Sequence, residues 1–310
     1  MRVLSGCNLW APRSAAKVRV IFMQQIRSFT DNETGRLYLV PTPIGNLDDM
    51  TFRAVKTLAA VDLIASEDTR HTQMLLNHFE IDTKQISFHE HNTEQRIPQL
   101  IELLKQGKSI AQCSDAGMPS ISDPGRELVA AAVEAGLQVV ALPGANAGIT
   151  ALIASGLNPQ PFYFYGFLSR KHQQQIAELT PLNQHQETMI FYEAPHRLVK
   201  TLSSMAEVFG LDRKAVLARE LTKRYEEFCR GSLEELIQWA DEHQIRGEFV
   251  ILVAGNDHPD QPADDAANLS LKEQIDQEIQ HGLSTNAAIK LVAKRNQIKR
   301  QDLYRQYHEL

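Results

Sequence analysis

The sequence predicts an α/β protein made of two α/β domains. The first is built on a parallel, Rossmann-like sheet and the second on a mixed sheet, with a cofactor cleft between them and a small helical C-terminal extension. Three observations lead there. Short apolar runs alternate with amphipathic segments from Arg36 onward, which is the order of a βαβ chain. The runs are apolar nearly throughout, as strands buried on both faces are. A length of 310 residues allows about two domains.

In the first domain, 35–146, the runs at 37–40, 61–65, 85–88, 109–113 and 138–142 predict strands, and 51–60, 70–79, 94–106 and 125–135 predict the helices between them. Thr51 is placed to cap its helix, and Gly107 and Gly136 stand where helices stop. A helix over 147–156 joins the domains. The second domain, 147–256, has predicted strands at 162–168, 188–192, 215–218, 226–230 and 249–253, and helices at 195–208 and 232–243. Two strands meet across 221–225 with no helix between them, which implies a hairpin and a mixed sheet. The stretch 257–270 is rich in Asp, holds Pro259 and Pro262 and lacks Lys and Arg, and so predicts a solvated linker. The extension, 271–310, predicts three short helices broken near Gly282 and Asn296. Its basic cluster of Lys290, Lys294, Arg295, Lys299 and Arg300 fits either a helix-turn-helix-like nucleic-acid module or a solvated face.

Residues 1–34 are expected to stay outside the fold. Over 1–30 the chain carries five basic residues and no acid. That composition fits a transit peptide or an upstream start codon with Met23 as the first residue proper. The composition of the whole chain is that of a soluble globular protein, 43% hydrophobic and 23% charged. No apolar run approaches the ~18–20 residues of a membrane span. Cys7, Cys113 and Cys229 show neither disulfide nor zinc spacing, which suits a reducing cytoplasm. A net charge of -6 excludes coating of nucleic acid by bulk charge but not a local basic surface.

The chemistry is expected at strand ends. SDAGMPSISDPG (114–125) leads from a strand into a helix, and its Gly and Pro residues shape the loop while Asp115 and Asp123 add anionic acceptors. PTPIGNL (41–47) follows the first strand but is neither a G-x-G-x-x-G fingerprint nor a P-loop. SEDTR (66–70) brings two carboxylates and a guanidinium, which serve either chemistry or helix capping. His89 and His91 make a metal pair conceivable, but no third ligand stands at a suggestive spacing, and no metal is expected. In the second domain GFLSRK (166–171), FYEAPHR (191–197) and ARELTKRYEE (218–227) each end a strand with charged groups.

In this order these strings resemble the tetrapyrrole-methylase superfamily, and within it the branch that methylates bacterial 16S ribosomal RNA. The resemblance runs from about Gly35 to Gly255. It implies S-adenosylmethionine (SAM) as cofactor, a homodimer, and 2'-O-methylation of a cytidine in the decoding region of 16S rRNA within the small ribosomal subunit. Carried over by position, it implies cofactor binding by Pro43, Ser114, Asp115, Ala116, Gly117, Met118, Ile121, Asn146, Tyr192, Gly247, Glu248 and Phe249. The family often reads P-G-P-S-A where this chain has Pro143-Gly144-Ala145-Asn146-Ala147, and commonly Thr where it has Met118. Candidates for the general base are Glu67, Asp68, His89, Glu193, His196, Arg197, Glu220 and Lys223, and the sequence does not choose among them; Glu67, Asp68 and Arg70 are preferred near the target ribose, and Lys171, Arg197, Arg219 and Lys223 for RNA phosphates. Two other readings fit the fold: a methyltransferase for a small tetrapyrrole-like molecule, and a non-catalytic RNA-binding factor in ribosome assembly.

Overall fold

The computed structural model describes residues 23–30, 33–257, 259, 270–280, 285–296 and 298–307. The chain divides into two units, Met1–Ala145 and Asn146–Leu310, each described by itself.

The first unit holds a five-stranded sheet of β1 (Arg36–Leu39), β2 (Leu63–Ser66), β3 (Gln85–Ser87), β4 (Ile110–Cys113) and β5 (Gln138–Ala141), in the order β3-β2-β4-β1-β5. All pairings are parallel. The helices are α1 (Phe52–Ala60), α2 (Thr69–His78), α3 (Thr93–Lys105) and α4 (Arg126–Glu134). Because successive strand residues face opposite ways, Ile64 joins a layer with Leu58 of α1 and Leu76 of α2. Its neighbour Ala65 joins the opposite layer, with Leu100 and Leu104 of α3 and Leu128 of α4. Thr51 accepts from the Ala54 amide and so starts α1, while Gly107 and Gly136, at φ +87° and +72°, terminate α3 and α4. The strand order places β1 beside β4, and α1 and α4 leave these two strands toward opposite faces. The crevice this creates at the strands' carboxyl ends is the topological switch point where open α/β sheets bind ligands.

The first unit also takes in residues expected outside the fold. Gln138 Nε2, fully buried on β5, donates to the carbonyl oxygens of Arg27 (2.7 Å) and Thr30 (3.1 Å) and to Thr30 Oγ1 (2.8 Å), and Arg36 Nη2 reaches the same Thr30 carbonyl. A buried amide must find partners, and this one finds them more than a hundred residues upstream. Residues 23–30 are thereby fastened to the sheet. Residues 1–22 and most of the predicted linker lie outside the described residues.

The second unit holds α5 (Ala147–Ser155) and a sheet of β6 (Phe162–Phe167), β7 (Thr188–Glu193), β8 (Lys214–Arg219), β9 (Glu227–Ser232) and β10 (Phe249–Val253), in the order β6-β7-β10-β8-β9. Only β6 and β7 run parallel; the others pair antiparallel, with β8 and β9 forming the expected hairpin. α6 (His172–Leu182), α7 (Leu198–Phe209) and α8 (Leu233–Glu242) bury Leu179, Leu202, Met205 and Leu236 against one face. α5 covers the other at Gly148, where an added Cβ would stand 3.3 Å from Ile190 and Phe164. α6 was not anticipated. Its inward face carries Gln175, which is buried because its amide bonds Thr201 (3.1 Å) and Ser204 (2.8 Å) of α7, so no apolar period marks it. The extension forms α9 (Leu271–Gln280), α10 (Thr285–Arg295) and α11 (Arg300–Tyr307) around Ile275, Ile289, Val292 and Leu303. Among the described residues no helix is long and apolar enough to cross a membrane.

Candidate active site

In the first unit the loops after β1 and β4 are joined at the backbone. Thr42 and Gly117 exchange both N–H···O bonds at 3.0 Å, and Thr42 Oγ1 donates to the Ser114 carbonyl at 3.1 Å. This sets Pro43 beside the segment Ser114–Met118. The amides of Ala116 and Met118 find no acceptor among the described residues. The loop is held in conformations that side chains disfavour: Ser120 and Ser122 adopt φ +69° and +62°, beside Gly117 at +78° and Gly125 at +141°. Each non-glycine residue there costs on the order of 1–2 kcal/mol. Gly125 is required, because a Cβ would stand 2.5 Å from the Gln112 amide and Ser120 Oγ. Gln112 Nε2 closes the loop onto the Pro124 carbonyl at 2.6 Å, while Gln112 Oε1 and Ser120 Oγ are buried without partners. Ile121 is exposed.

Carboxylates crowd these loops. The Asp115 amide donates to Glu67 Oε2 (3.4 Å), and the Asp68 amide to Asp115 Oδ1 (3.1 Å). Burial raises Glu67 above the ordinary glutamate value, and the charges of Asp115 and Glu90 add to it. Asp123 is pushed up to about 7 by burial, then by the charge of Glu67. It lines a cavity of about 430 Å³ with Glu90, Thr93, Ser120, Ser122 and Glu127, and with Arg126, whose Nε stands 3.7 Å from Glu127 Oε1. Asp68 behaves differently. It caps α2 through the Arg70 amide (2.9 Å) and forks onto the Arg70 guanidinium at 3.1 and 2.7 Å. The Arg70 hydrogen bonds hold it well below the usual carboxylate range. Of the three catalytic candidates, Glu67 faces the cluster, whereas Asp68 and Arg70 satisfy each other. His89 and His91 lie with ring centres 5.9 Å apart, and among the described residues no group of three His, Cys, Asp or Glu could hold a metal.

In the second unit the candidates are engaged with one another. Asn146 caps α5, accepting from the Ile149 amide at 2.9 Å, and Tyr192 Oη accepts from the Gly148 amide at 3.1 Å. Gly247, at φ +86°, lies so close to Glu220 that a Cβ would stand 2.4 Å from its Cγ. The Glu248 amide donates to Glu220 Oε1 (3.0 Å), the Glu220 amide donates to the Glu248 carbonyl (3.0 Å), and Lys223 Nζ meets both carboxylates at 2.9 Å. Burial alone would raise Glu220, but Lys223 outweighs it and holds the carboxyl low. Phe249 is core. Three of the expected phosphate contacts therefore have other work. Arg219 binds the Arg246 carbonyl (2.7 Å) and Glu227 (3.0 Å), Lys223 is doubly paired, and Arg197 is pinned to buried Glu193 (3.0 Å). Lys171 is exposed at the start of α6.

A family of proteins described as Tetrapyrrole (Corrin/Porphyrin) Methylases matches residues 36–237. The chain belongs to the tetrapyrrole methylase family. This tetrapyrrole methylase is 56% identical over 289 residues to a protein of Streptococcus pyogenes serotype M18 (strain MGAS8232) named Ribosomal RNA small subunit methyltransferase I, covering 93% of this chain and all of the relative. A Bacillus subtilis (strain 168) protein of the same name is 53% identical, over 89% of this chain and 95% of its own. Among solved structures, a uroporphyrin-III C-methyltransferase from Thermus thermophilus complexed with S-adenosyl homocysteine has the same fold at TM-score 0.51 and 16% identity, over 71% of this methylase and 97% of that chain. Two acidic residues outside the expected site set join this cluster: Glu90, just past β3, and Asp123, at the end of the loop that leads into α4. No motif marks either of them.

Proposed function

We propose that this methylase transfers a methyl group from SAM to the ribose 2'-oxygen of a cytidine in the decoding region of 16S rRNA, acting on the small ribosomal subunit as a cytoplasmic homodimer. The observation that carries the reading is the 56% identity along the full length of a relative named for small-subunit ribosomal RNA. The first unit's loops suit SAM chemically. Free amides at Ala116 and Met118 can meet a ligand carboxylate, and the orphaned Ser120 hydroxyl and the carboxylates of Glu67, Asp115 and Asp123 suit polar and cationic groups. Pro43, Ser114, Gly117 and Ile121 complete that wall. Bound SAM supplies an electrophilic methyl on a sulfonium.

The protein must hold the 2'-oxygen in line with that methyl and receive its proton as the O–C bond forms. Glu67 is the better base of the SEDTR carboxylates. Its affinity for a proton is raised, and that of Asp68 is lowered by Arg70.

The test uses SAM labelled on its methyl and small subunits from cells lacking the activity. Label recovered in 2'-O-methylcytidine is the expected result. SAM binding with no labelled RNA would turn the reading toward a small tetrapyrrole-like substrate, and absence of both toward a non-catalytic assembly factor.

A further inference from the structure

β6 and β7 run parallel and side by side, so the loops that follow them leave the same end of the sheet. One guanidinium fastens the two. Arg197, past β7, directs Nη2 to the carbonyl oxygens of Leu168 (2.7 Å) and Ser169 (3.2 Å), past β6. Its Nε meets Glu193 Oε1 at 3.0 Å. The Glu193 side chain is 1% exposed and also accepts from Thr201 Oγ1 (2.6 Å) and the Ala194 amide (2.8 Å). Ser169 is gripped from its other side, its amide and hydroxyl both donating to Glu178. A buried ion pair is seldom worth more to stability than apolar side chains of the same volume. What this one supplies is a fixed relation between two loops.

The residues those loops carry outward are cationic. Arg170 and Lys171 follow Ser169 directly, and Lys200 stands in the first turn of α7. All three are exposed, and among the described residues none meets a carboxylate. In a chain of net charge -6, whose Arg219 and Lys223 are already paired, three unneutralised cations at one sheet end are unusual.

We infer that Glu193 and Arg197 are positioning residues, and that Arg170, Lys171 and Lys200, held out by them, form a surface for the phosphate backbone of RNA. The inference rests on the RNA substrate proposed above and assigns it a face. The fork of Arg197 matters because only a planar guanidinium reaches Glu193 and two carbonyls together.

The test is the salt dependence of binding to unmethylated small ribosomal subunits. The triple variant Arg170→Ala, Lys171→Ala, Lys200→Ala is expected to flatten the slope of log affinity against log salt by about two to three, with unchanged thermal stability. Arg197→Ala is expected to flatten it by about one or more without itself contacting phosphate. Added to the triple variant, it should change the slope no further. Arg197→Lys, which keeps the charge without the fork, should behave like Arg197→Ala and serves if the alanine variant does not fold. An unchanged slope in the triple variant overturns the surface. An Arg197 variant that loses stability with its slope intact, or flattens the slope beyond the triple variant, overturns the positioning role. Wild-type protein that methylates subunits while these slopes stay intact sinks this inference alone; wild-type protein that neither binds nor methylates them sinks the RNA reading as well.

Discussion

At the strand ends of the first sheet, Glu67, Asp115, Asp123 and Glu90 gather with no Lys or Arg within 4.0 Å among the described residues, and His71 Nδ1 stands 3.8 Å from Asp115 Oδ1. At those of the second, Glu193, Glu220 and Glu248 each meet a cation at 3.0 Å or less. The same residue type is thus set to opposite ends. Burial and the repulsion of neighbouring carboxylates raise the proton affinity of Glu67 and Asp123, which suits exchange with a ligand. The paired ones fix backbone and neighbouring side chains, and Lys223 holds the Glu220 carboxyl low. On the proposed reading, the contrast separates the end of the molecule that reacts from the end that is braced.

The contrast is sharpened most by Glu67→Gln. If this carboxylate receives the ribose proton, kcat for methyl transfer should fall by about 10² to 10⁴-fold, an increase in barrier of about 3–5 kcal/mol, with SAM affinity little changed. Single-turnover kinetics with labelled SAM measures it, and a loss below about threefold would remove Glu67 from the chemistry. In wild type the rate should climb with pH through a midpoint above the ordinary glutamate value.

Glu193→Ala tests the braced end. It strands the Arg197 guanidinium beside a hole and should lower unfolding stability by about 3 kcal/mol in denaturant titration. A change under about 1 kcal/mol would mean the pair is not fully desolvated.

Asp123→Asn addresses the poised end through pH. The native state keeps a proton on Asp123 up to about pH 7, whereas the unfolded chain loses it near 3.8. Native protein therefore binds more protons in that window, and stability falls as pH rises through it. Asn abolishes that slope and should stabilise the protein at pH 8 by about 1–2 kcal/mol, after allowance for solvent screening of a half-exposed group. Melting temperatures at pH 5 and pH 8 decide it, and an unaltered difference between them would refute the assignment.

The smallest effect is expected at Asp68→Ala, which removes the side-chain cap of α2 and should lower the melting temperature slightly. Methyl transfer should survive this change, and its collapse would return Asp68 to the catalytic set.

Much of the fold was legible because backbone and burial write simple signals. Largely apolar runs marked β1 to β5, Thr51 marked a helix start, and Gly107 and Gly136 marked ends. What escaped depended on partners far away in sequence. Gln138 holds Arg27 and Thr30 across more than a hundred residues, and Gln175 is buried only because α7 answers its amide. For the site, the loops could be found from their Gly and Pro residues, but the pairing within them could not. Arg197, Arg219 and Lys223 read as free cations until their carboxylates appeared beside them. Asp123 carries no local mark of its raised proton affinity, which arises from burial and from Glu67, far off along the chain.

The pair of backbone hydrogen bonds between Thr42 and Gly117 makes the loops after β1 and β4 a single heritable part. A chimera that takes one of them from a relative and keeps the other keeps both hydrogen bonds only if the backbone path of the new loop matches the old. Transplants of specificity in this protein should therefore move residues 41–47 and 114–125 together, and drift in one segment should be matched by drift in the other.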